Sequence, residues 1–179
     1  MNIGIDEVGR GCVAGPVVAA AVVIDDSFDV LVSDSKLLSA KRREILDKEI
    51  KKKCLDFSIS VINSKTVDEI NIHKASLLAM EQAYLNLHYQ SGSIKCDGKF
   101  LPNIDGVVAH INGDKLYTEI SAASIIAKVY RDHLMNYISL KYPNYHFDKH
   151  KGYLTKMHLE AIEQYGPCNI HRLSFKPFS

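Results

Sequence analysis

Apolar residues gather at positions 3–5 and again, almost without interruption, at 17–24. Gly9-Arg10-Gly11 and Gly15-Pro16 lie between them, residues whose permissive or fixed φ suits turns. This pattern predicts two strands joined by a glycine-rich connection. Ser39 can cap a helix over 39–54, where Ile45, Leu46 and Ile50 recur at helical spacing. Residues 57–62 alternate like a strand. Thr66-Val67-Asp68-Glu69 has the form of a capping box and opens a long helix over 66–88, carrying Ile70, Leu77, Leu78 and Tyr84. Two short buried strands, 93–96 and 107–111, bracket the turn signal Asp97-Gly98. The small residues in Glu-Ile-Ser-Ala-Ala-Ser-Ile-Ile-Ala-Lys let a helix over 119–142 press closely onto a sheet, and a last helix is expected over 155–165. Strands and helices in this order predict a mixed α/β layout, with helices covering a central sheet.

Composition narrows the picture. With 179 residues, of which 46% are apolar and 24% charged, one domain over 1–179 can bury a core without disulfides or a structural metal. Twenty-two basic residues against twenty-one acidic ones leave a formal charge of +1, so any nucleic-acid partner must be met by a local patch. Cys12, Cys54, Cys96 and Cys168 stand far apart with no C-x-x-C pair, which argues against a zinc site or a disulfide framework. A reducing, cytoplasmic setting is expected. The longest apolar run, 13–24, is too short to span a bilayer and contains Gly15 and Pro16, and no signal peptide precedes it. Lys48, Lys51, Lys52 and Lys53 read as a solvated helix end.

Candidate chemistry lies in the acids. Asp6-Glu7 ends the first expected strand, Asp97 ends another apolar run, and Asp114 follows the 107–111 strand by three residues. Regular alternation sends Asp6 and Glu7 to opposite faces, and an isolated buried carboxylate is costly enough to be protonated unless a cation relieves it. Asp97-Gly98 or Gly113-Asp114 alone reads equally as an ordinary turn. Taken together, acids without a histidine or thiolate companion suit Mg²⁺ or Mn²⁺ rather than zinc. Residue type and spacing reach an acidic metal site on an α/β sheet, acting on phosphate, and no further.

Longer strings go further. Asp6-Glu7-Val8-Gly9-Arg10-Gly11, followed by Ala14-Gly15-Pro16-Val17-Val18-Ala19-Ala20-Ala21-Val22, resembles the opening of the ribonuclease HII family. Asp34-Ser35-Lys36, Asp97-Gly98, Gly113-Asp114, the run from Ser121 to Val129 with Arg131-Asp132, Lys151-Gly152-Tyr153, and His171-Arg172-Leu173-Ser174-Phe175 follow in the family's order. The resemblance spans residues 3–175. It implies a ribonuclease H-like fold, α/β with a central mixed sheet flanked by helices and a C-terminal helical part. It implies hydrolysis of the RNA strand of RNA/DNA hybrids, and cleavage at ribonucleotides embedded in duplex DNA, by two-metal chemistry with Mn²⁺ or Mg²⁺. The ends left would be a 3′-hydroxyl and a 5′-phosphate. Asp6, Glu7, Asp97 and Asp114 would form the metal-binding quartet; the sequence does not show which acid bridges the ions, and Asp6 is our choice.

The resemblance further implies that the backbone of Gly9, Arg10 and Gly11, with Tyr153, reads the junction between a ribonucleotide and the next deoxyribonucleotide. Ser35 and Lys36 would be substrate-side residues. Lys128 and Arg131 are open between phosphate contacts and ordinary solvated charges. The related ribonuclease HIII family lacks Gly-Arg-Gly and usually carries an extra N-terminal domain, so HII is the better match. No N-terminal extension, clamp-binding tail, membrane association or obligate protein partner is expected. Two rivals are a DNA resolvase or exonuclease of the same fold, against which Gly-Arg-Gly and Tyr153 speak, and a binding module that has lost its chemistry, which would lack one of the four acids. His110 reads as a core histidine. His146, His150, His158 and His171 carry no assignment, and Gly9-x-Gly11-x-x-x-Gly15 has the wrong spacing for a dinucleotide loop.

Overall fold

The structure, a computed structural model, describes residues 1–32 and 37–179. Strands β1 (Asn2–Val8), β2 (Val17–Ile24), β3 (Asp56–Ile62), β4 (Ser93–Asp97) and β5 (Val107–His110) form one sheet in the order β3-β2-β1-β4-β5. β1 and β2 are antiparallel, as are β2 and β3, whereas β1, β4 and β5 run parallel. The helices are α1 (Ala40–Lys53), α2 (Ser64–Ile70), α3 (Ile72–Leu85), α4 (Gly113–Leu116), α5 (Thr118–Lys141), α6 (Phe147–His150) and α7 (Lys156–Tyr165), with a 3₁₀ turn at Pro143–Tyr145.

β2 explains its own sequence. Val17, Ala19, Ala21 and Val23 face α2 and α3, where they meet Val67, Ala75, Ala79, Met80 and Ala83. Val18, Ala20, Val22 and Ile24 face α1 and α5, against Leu46, Ile50, Ala122, Ala123, Ile125 and Ile126. A strand covered on both faces is apolar throughout rather than alternating. The small residues of α5 do press onto the sheet. A Cβ added to Gly4 would lie 2.1 Å from the Glu119 carbonyl carbon, so the helix backbone rests on the strand itself.

The helix expected over 66–88 is two helices. Asn71, at φ 69°, breaks it and accepts a hydrogen bond from the Lys74 N–H, starting α3 afresh. Asparagine tolerates the left-handed region and caps helices, so one residue both stops and restarts the chain. The α2 cap also lies upstream of the expected box, because the Asn63 side chain accepts from Thr66 N–H at 2.9 Å. Among the described residues no helix is long and apolar enough to cross a membrane.

The C-terminal part packs Ala14, Met135, Tyr145, Phe147 and Ala161 around three buried histidines. Cys168 N–H donates to Nδ1 of His171 at 2.8 Å, the shorter of that nitrogen's two backbone contacts. His171 Nε2 lies 3.0 Å from His158 Nε2, and His158 Nδ1 lies 2.9 Å from the Tyr153 carbonyl. A carbonyl only accepts, so His158 carries its proton on Nδ1 and receives one at Nε2 from His171. The His150 ring stacks 4.2 Å from that of His158. This chain closes only when the imidazoles are neutral. Burial, the largest cause, holds His158 down to about 4, with the cationic forms of its two histidine neighbours opposing its charge.

A folded-state value below the unfolded one means that the unfolded chain binds more protons in between. Stability from His158 is therefore complete above about pH 6.5 and lost as pH falls toward 4, by on the order of 3 kcal/mol. Thermal melts of wild type and His158→Gln across that range should show a shallower pH dependence in the variant. Parallel profiles would mean that the cluster accepts protons without penalty.

Candidate active site

Register brings the first two acids together. Ile5 of β1 pairs with Cys96 of β4, and both side chains lie in the core on the α3 face. Alternation then turns the next residues, Asp6 and Asp97, to the α5 face at the carboxyl ends of adjacent parallel strands, where open α/β sheets place their ligands. Ser124 of α5 hydrogen-bonds Asp6 there. Glu7 was expected on the opposite face, yet at the strand end it lines the same cavity of about 310 Å³ as Asp6 and Asp97. Asp114 is buried in the first turn of α4 and lines a second cavity, of about 440 Å³, with Tyr117 and Ser121. Gly113 N–H, one residue before it, donates to Asp97 Oδ1 at 2.7 Å.

The electrostatics of this corner are strained toward neutrality. Burial pushes Asp6 well above the usual carboxylate range, and the charges of Glu7 and Asp97 push it further. Burial also raises Glu7, against the pull of Arg10, whose Nη1 lies 3.2 Å from Oε1. The neighbouring thiol reports the same environment: burial, helped by Glu7, Asp97 and Asp6, pushes Cys96 up to about 12. Among the described residues no three carboxylate, imidazole or thiolate side chains converge on one point at ligand distance. Asp6 and Asp97 each turn an oxygen to a backbone N–H at 2.7 Å. Glu7 Oε2 is buried with no hydrogen-bond partner. An orphaned oxygen, oxygen-only donors and mutual repulsion fit a hard divalent cation, which would relieve all three.

Beside the acids lies the Gly9–Pro16 loop, gripped by two buried arginines. Arg131 donates to the carbonyls of Pro16 (2.9 Å), Lys151 (2.8 Å) and Ala14 (3.3 Å). Arg172 donates twice to Gly15 and once to Arg10. Gly9, at φ +93°, must be glycine twice over, since a Cβ would meet Arg131 Nε at 2.3 Å. Val13 and Ala14 N–H groups donate to Gly152 O, tying the loop to Lys151-Gly152-Tyr153. A Cβ on Gly11 would stand 3.9 Å from the Tyr153 ring, and that half-exposed ring also lines the carboxylate cavity.

Gly9, Arg10, Gly11 and Tyr153 are thus brought beside Asp6, Glu7 and Asp97, while Ser35 and Lys36 lie outside the described residues. Arg131 is fully buried and bound to carbonyls, so neither of the two readings left open for it, a phosphate contact or a solvated charge, describes it. His110 is not in the core: it is half-buried on an edge strand with its ring 4.4 Å from Tyr117. Sequence reasoning gave no role to Arg43, Ser124 or Arg172, although Ser124 and Arg172 stood inside matched strings. Only the folded positions show that Arg43 reaches the cavity from α1.

The chain matches the family described as Ribonuclease HII over residues 3–178. It belongs to the ribonuclease HII family. Ribonuclease HII of Caldicellulosiruptor bescii is 49% identical over 174 residues, covering 96% of this chain and 84% of that protein. Among solved structures, ribonuclease H2 of Pyrococcus horikoshii OT3 superposes with a TM-score of 0.84 at 28% identity, covering 99% of this chain and 94% of that one. Ribonuclease HII of Archaeoglobus fulgidus, solved in complex with PCNA, gives 0.83 at 30%, covering 98% and 95%. The mixed sheet with its flanking helices is therefore a ribonuclease H-like fold, and the chain is an enzyme of the ribonuclease H class.

The raised value of Asp6 means that its contribution to stability is greatest at low pH and is lost as pH rises through that value. Asp6→Asn keeps the uncharged advantage at neutral pH. In chelator this variant of the ribonuclease HII chain should melt no lower than wild type, and higher by about 2 to 4 °C if about 1 kcal/mol of repulsion and desolvation is relieved. A melting point several degrees below wild type would show that the ionised carboxylate supports the fold.

Proposed function

We propose that this protein hydrolyses the RNA strand of RNA/DNA hybrids and cuts at ribonucleotides embedded in duplex DNA, leaving 3′-hydroxyl and 5′-phosphate ends. Its catalytic unit is one domain over 1–179, acting in the cytoplasm, where the reduced state of its four free cysteines is at home. The reading is carried by one observation: three acids at the ends of parallel strands share a cavity with Tyr153, beside a glycine loop gripped from behind.

Asp6, Glu7, Asp97 and Asp114 would hold two divalent cations, Mn²⁺ or Mg²⁺. When bound, such ions lower the pKa of an attacking water and stabilise charge on the leaving 3′-oxygen. The chain's own groups do the rest. Asp6 stays ionised when its desolvated charge is compensated, with Ser124 fixing one of its oxygens. Glu7 would offer its unpartnered Oε2 to a cation while Arg10 holds Oε1. The Gly9-Arg10-Gly11 backbone, held rigid by Arg172 at the Arg10 carbonyl, can approach a sugar closely because Gly11 adds no Cβ between it and Tyr153. The Tyr153 ring then stacks on the following deoxyribose and sterically disfavours a 2′-hydroxyl there.

Asp6→Asn, Glu7→Gln, Asp97→Asn and Asp114→Asn should each remain folded yet lose about a hundredfold or more in cleavage of a hybrid duplex with Mn²⁺ or Mg²⁺ present. Wild-type rates in any one of them at saturating metal would remove that residue from the quartet. On a duplex with one embedded ribonucleotide, Tyr153→Ala should lose roughly five- to over a hundredfold in kcat/KM, the equivalent of about 1 to 3 kcal/mol of stacking, while Tyr153→Phe stays near wild type. Equal activity of the two variants, both shown folded by circular dichroism, would return Tyr153 to a structural role.

A further inference from the structure

Gly9-Arg10-Gly11 and Tyr153 come from distant parts of the chain, the first from the loop after β1 and the second from the stretch after α6. The ties described above end one or two residues short of the ring: Arg131 holds the Lys151 carbonyl, and Val13 and Ala14 hold that of Gly152. Tyr153 itself is held differently. Its carbonyl accepts from Thr155 N–H and from His158 Nδ1, each at 2.9 Å. His158 in turn receives a proton at Nε2 from His171, 3.0 Å away. The backbone around His171 is strapped onto the glycine loop: Gly15 N–H donates to the Ile170 carbonyl at 2.9 Å, Arg172 N–H donates to the Val13 carbonyl at 2.8 Å, and Ala14 and His171 form an isolated antiparallel bridge. A continuous path therefore runs from Tyr153, through two buried imidazoles, to the loop that carries Gly9, Arg10 and Gly11.

We propose that His158 and His171 are positioning residues, a clamp that fixes the gap between the Tyr153 ring and the Gly9-Arg10-Gly11 backbone. By fixing that gap the clamp sets the preference for a ribonucleotide followed by a deoxyribonucleotide over a continuous RNA strand. The proposal rests on the functional reading above and deepens it. Excluding a 2′-hydroxyl requires a wall that does not yield, because specificity is a difference between two affinities and a ring free to swing aside admits both sugars. Glycines let a loop approach closely but cannot by themselves hold a distance. An imidazole presents a donor and an acceptor on one rigid ring, so two in series transmit position through few rotatable bonds. Both rings are buried, and breaking either hydrogen bond leaves polar atoms unpaired away from water.

Substitutions that cut the path at different points separate the clamp from packing. His158→Gln carries its amide farther out, at the level of Nε2, and so removes the donor to the Tyr153 carbonyl. His171→Asn withdraws the N–H that His158 receives, whereas His171→Gln extends an amide N–H to that position. The readout is the ratio of kcat/KM, with Mn²⁺, on a DNA duplex with one embedded ribonucleotide to that on a continuous RNA/DNA hybrid. A general loss of stability lowers both values and leaves the ratio alone. The ratio should fall about three- to tenfold in His158→Gln and in His171→Asn, the change expected from one hydrogen bond, and stay within about twofold of wild type in His171→Gln. In a Tyr153→Ala background His158→Gln should alter the ratio by less than about twofold, because the clamp acts through the ring.

A wild-type ratio in His158→Gln or His171→Asn, or an undiminished fall in the Tyr153→Ala background, would overturn the clamp. So would wild-type protein that cuts both duplexes equally well. Should one of the two severing variants fail to fold, as read by circular dichroism, the other carries the test against His171→Gln: equal ratios overturn the proposal and a lower ratio in the severed variant supports it. Wild-type protein that cuts neither duplex sinks the functional reading and the clamp together. Wild-type protein that prefers the embedded ribonucleotide, with variants that keep the preference, sinks the clamp alone.

Discussion

Two guanidinium groups, buried to zero exposure and facing backbone carbonyls, are the constraint on which the site depends. Burying a cation costs several kcal/mol unless its donors are satisfied. Arg131 and Arg172 meet that condition with six hydrogen bonds to carbonyls contributed by the Gly9–Pro16 loop and Lys151. Desolvation still leaves its mark, drawing Arg172 down to about 10. The interaction is mutual: without the arginines, the loop carbonyls at Ala14, Gly15 and Pro16 would be buried acceptors lacking donors, at about 1 to 3 kcal/mol each. A loop with several glycines, floppy by composition, is thereby fixed from inside the molecule, with Arg10 and Gly11 exposed on its outward face.

This arrangement explains which parts were legible in the sequence. Strands and the α5 contact follow from local pattern: β2 is apolar at every position because it is covered twice, and Ala122, Ala123 and Ala127 let α5 lie close on the sheet, where the backbone of Glu119 and Ile120 rests on Gly4. The pairing of Asp6 with Asp97 was half legible, since both end apolar runs, but their common face needed the parallel register of Ile5 with Cys96. Arg131 misled for a physical reason. An arginine beside a helix lysine and aspartate looks solvated when its partners are carbonyls more than a hundred residues away, and no local spacing encodes such a partner. The three histidines were illegible because their partners, though near in the chain, are reached through irregular turns that follow no helical or strand period, and Asn71 because one residue's φ decided whether a helix continued.

The charge in the cavity is not legible in the total. A formal charge of +1 hides a corner where Glu7 and Asp97 raise Asp6, in a cavity that Arg43 and Lys128 also line. The histidine relay bears on the same place from the far side, since His158 bonds the Tyr153 carbonyl and so helps set the ring's position.

Scaffold and site draw on separate interactions. The two sheet-covering clusters contain none of the four acids, and the loop is held through carbonyls rather than through carboxylates. Neutralising an acid therefore removes repulsion without removing packing, whereas shortening Arg131 or Arg172 removes packing and hydrogen bonds together. The same division lets a cluster of mutually repelling carboxylates persist at all: its cost falls on a few strand-end residues, and the core that offsets it lies on both faces of β2, one strand away. A corner built in this way carries a repulsion that a bound divalent cation would relieve.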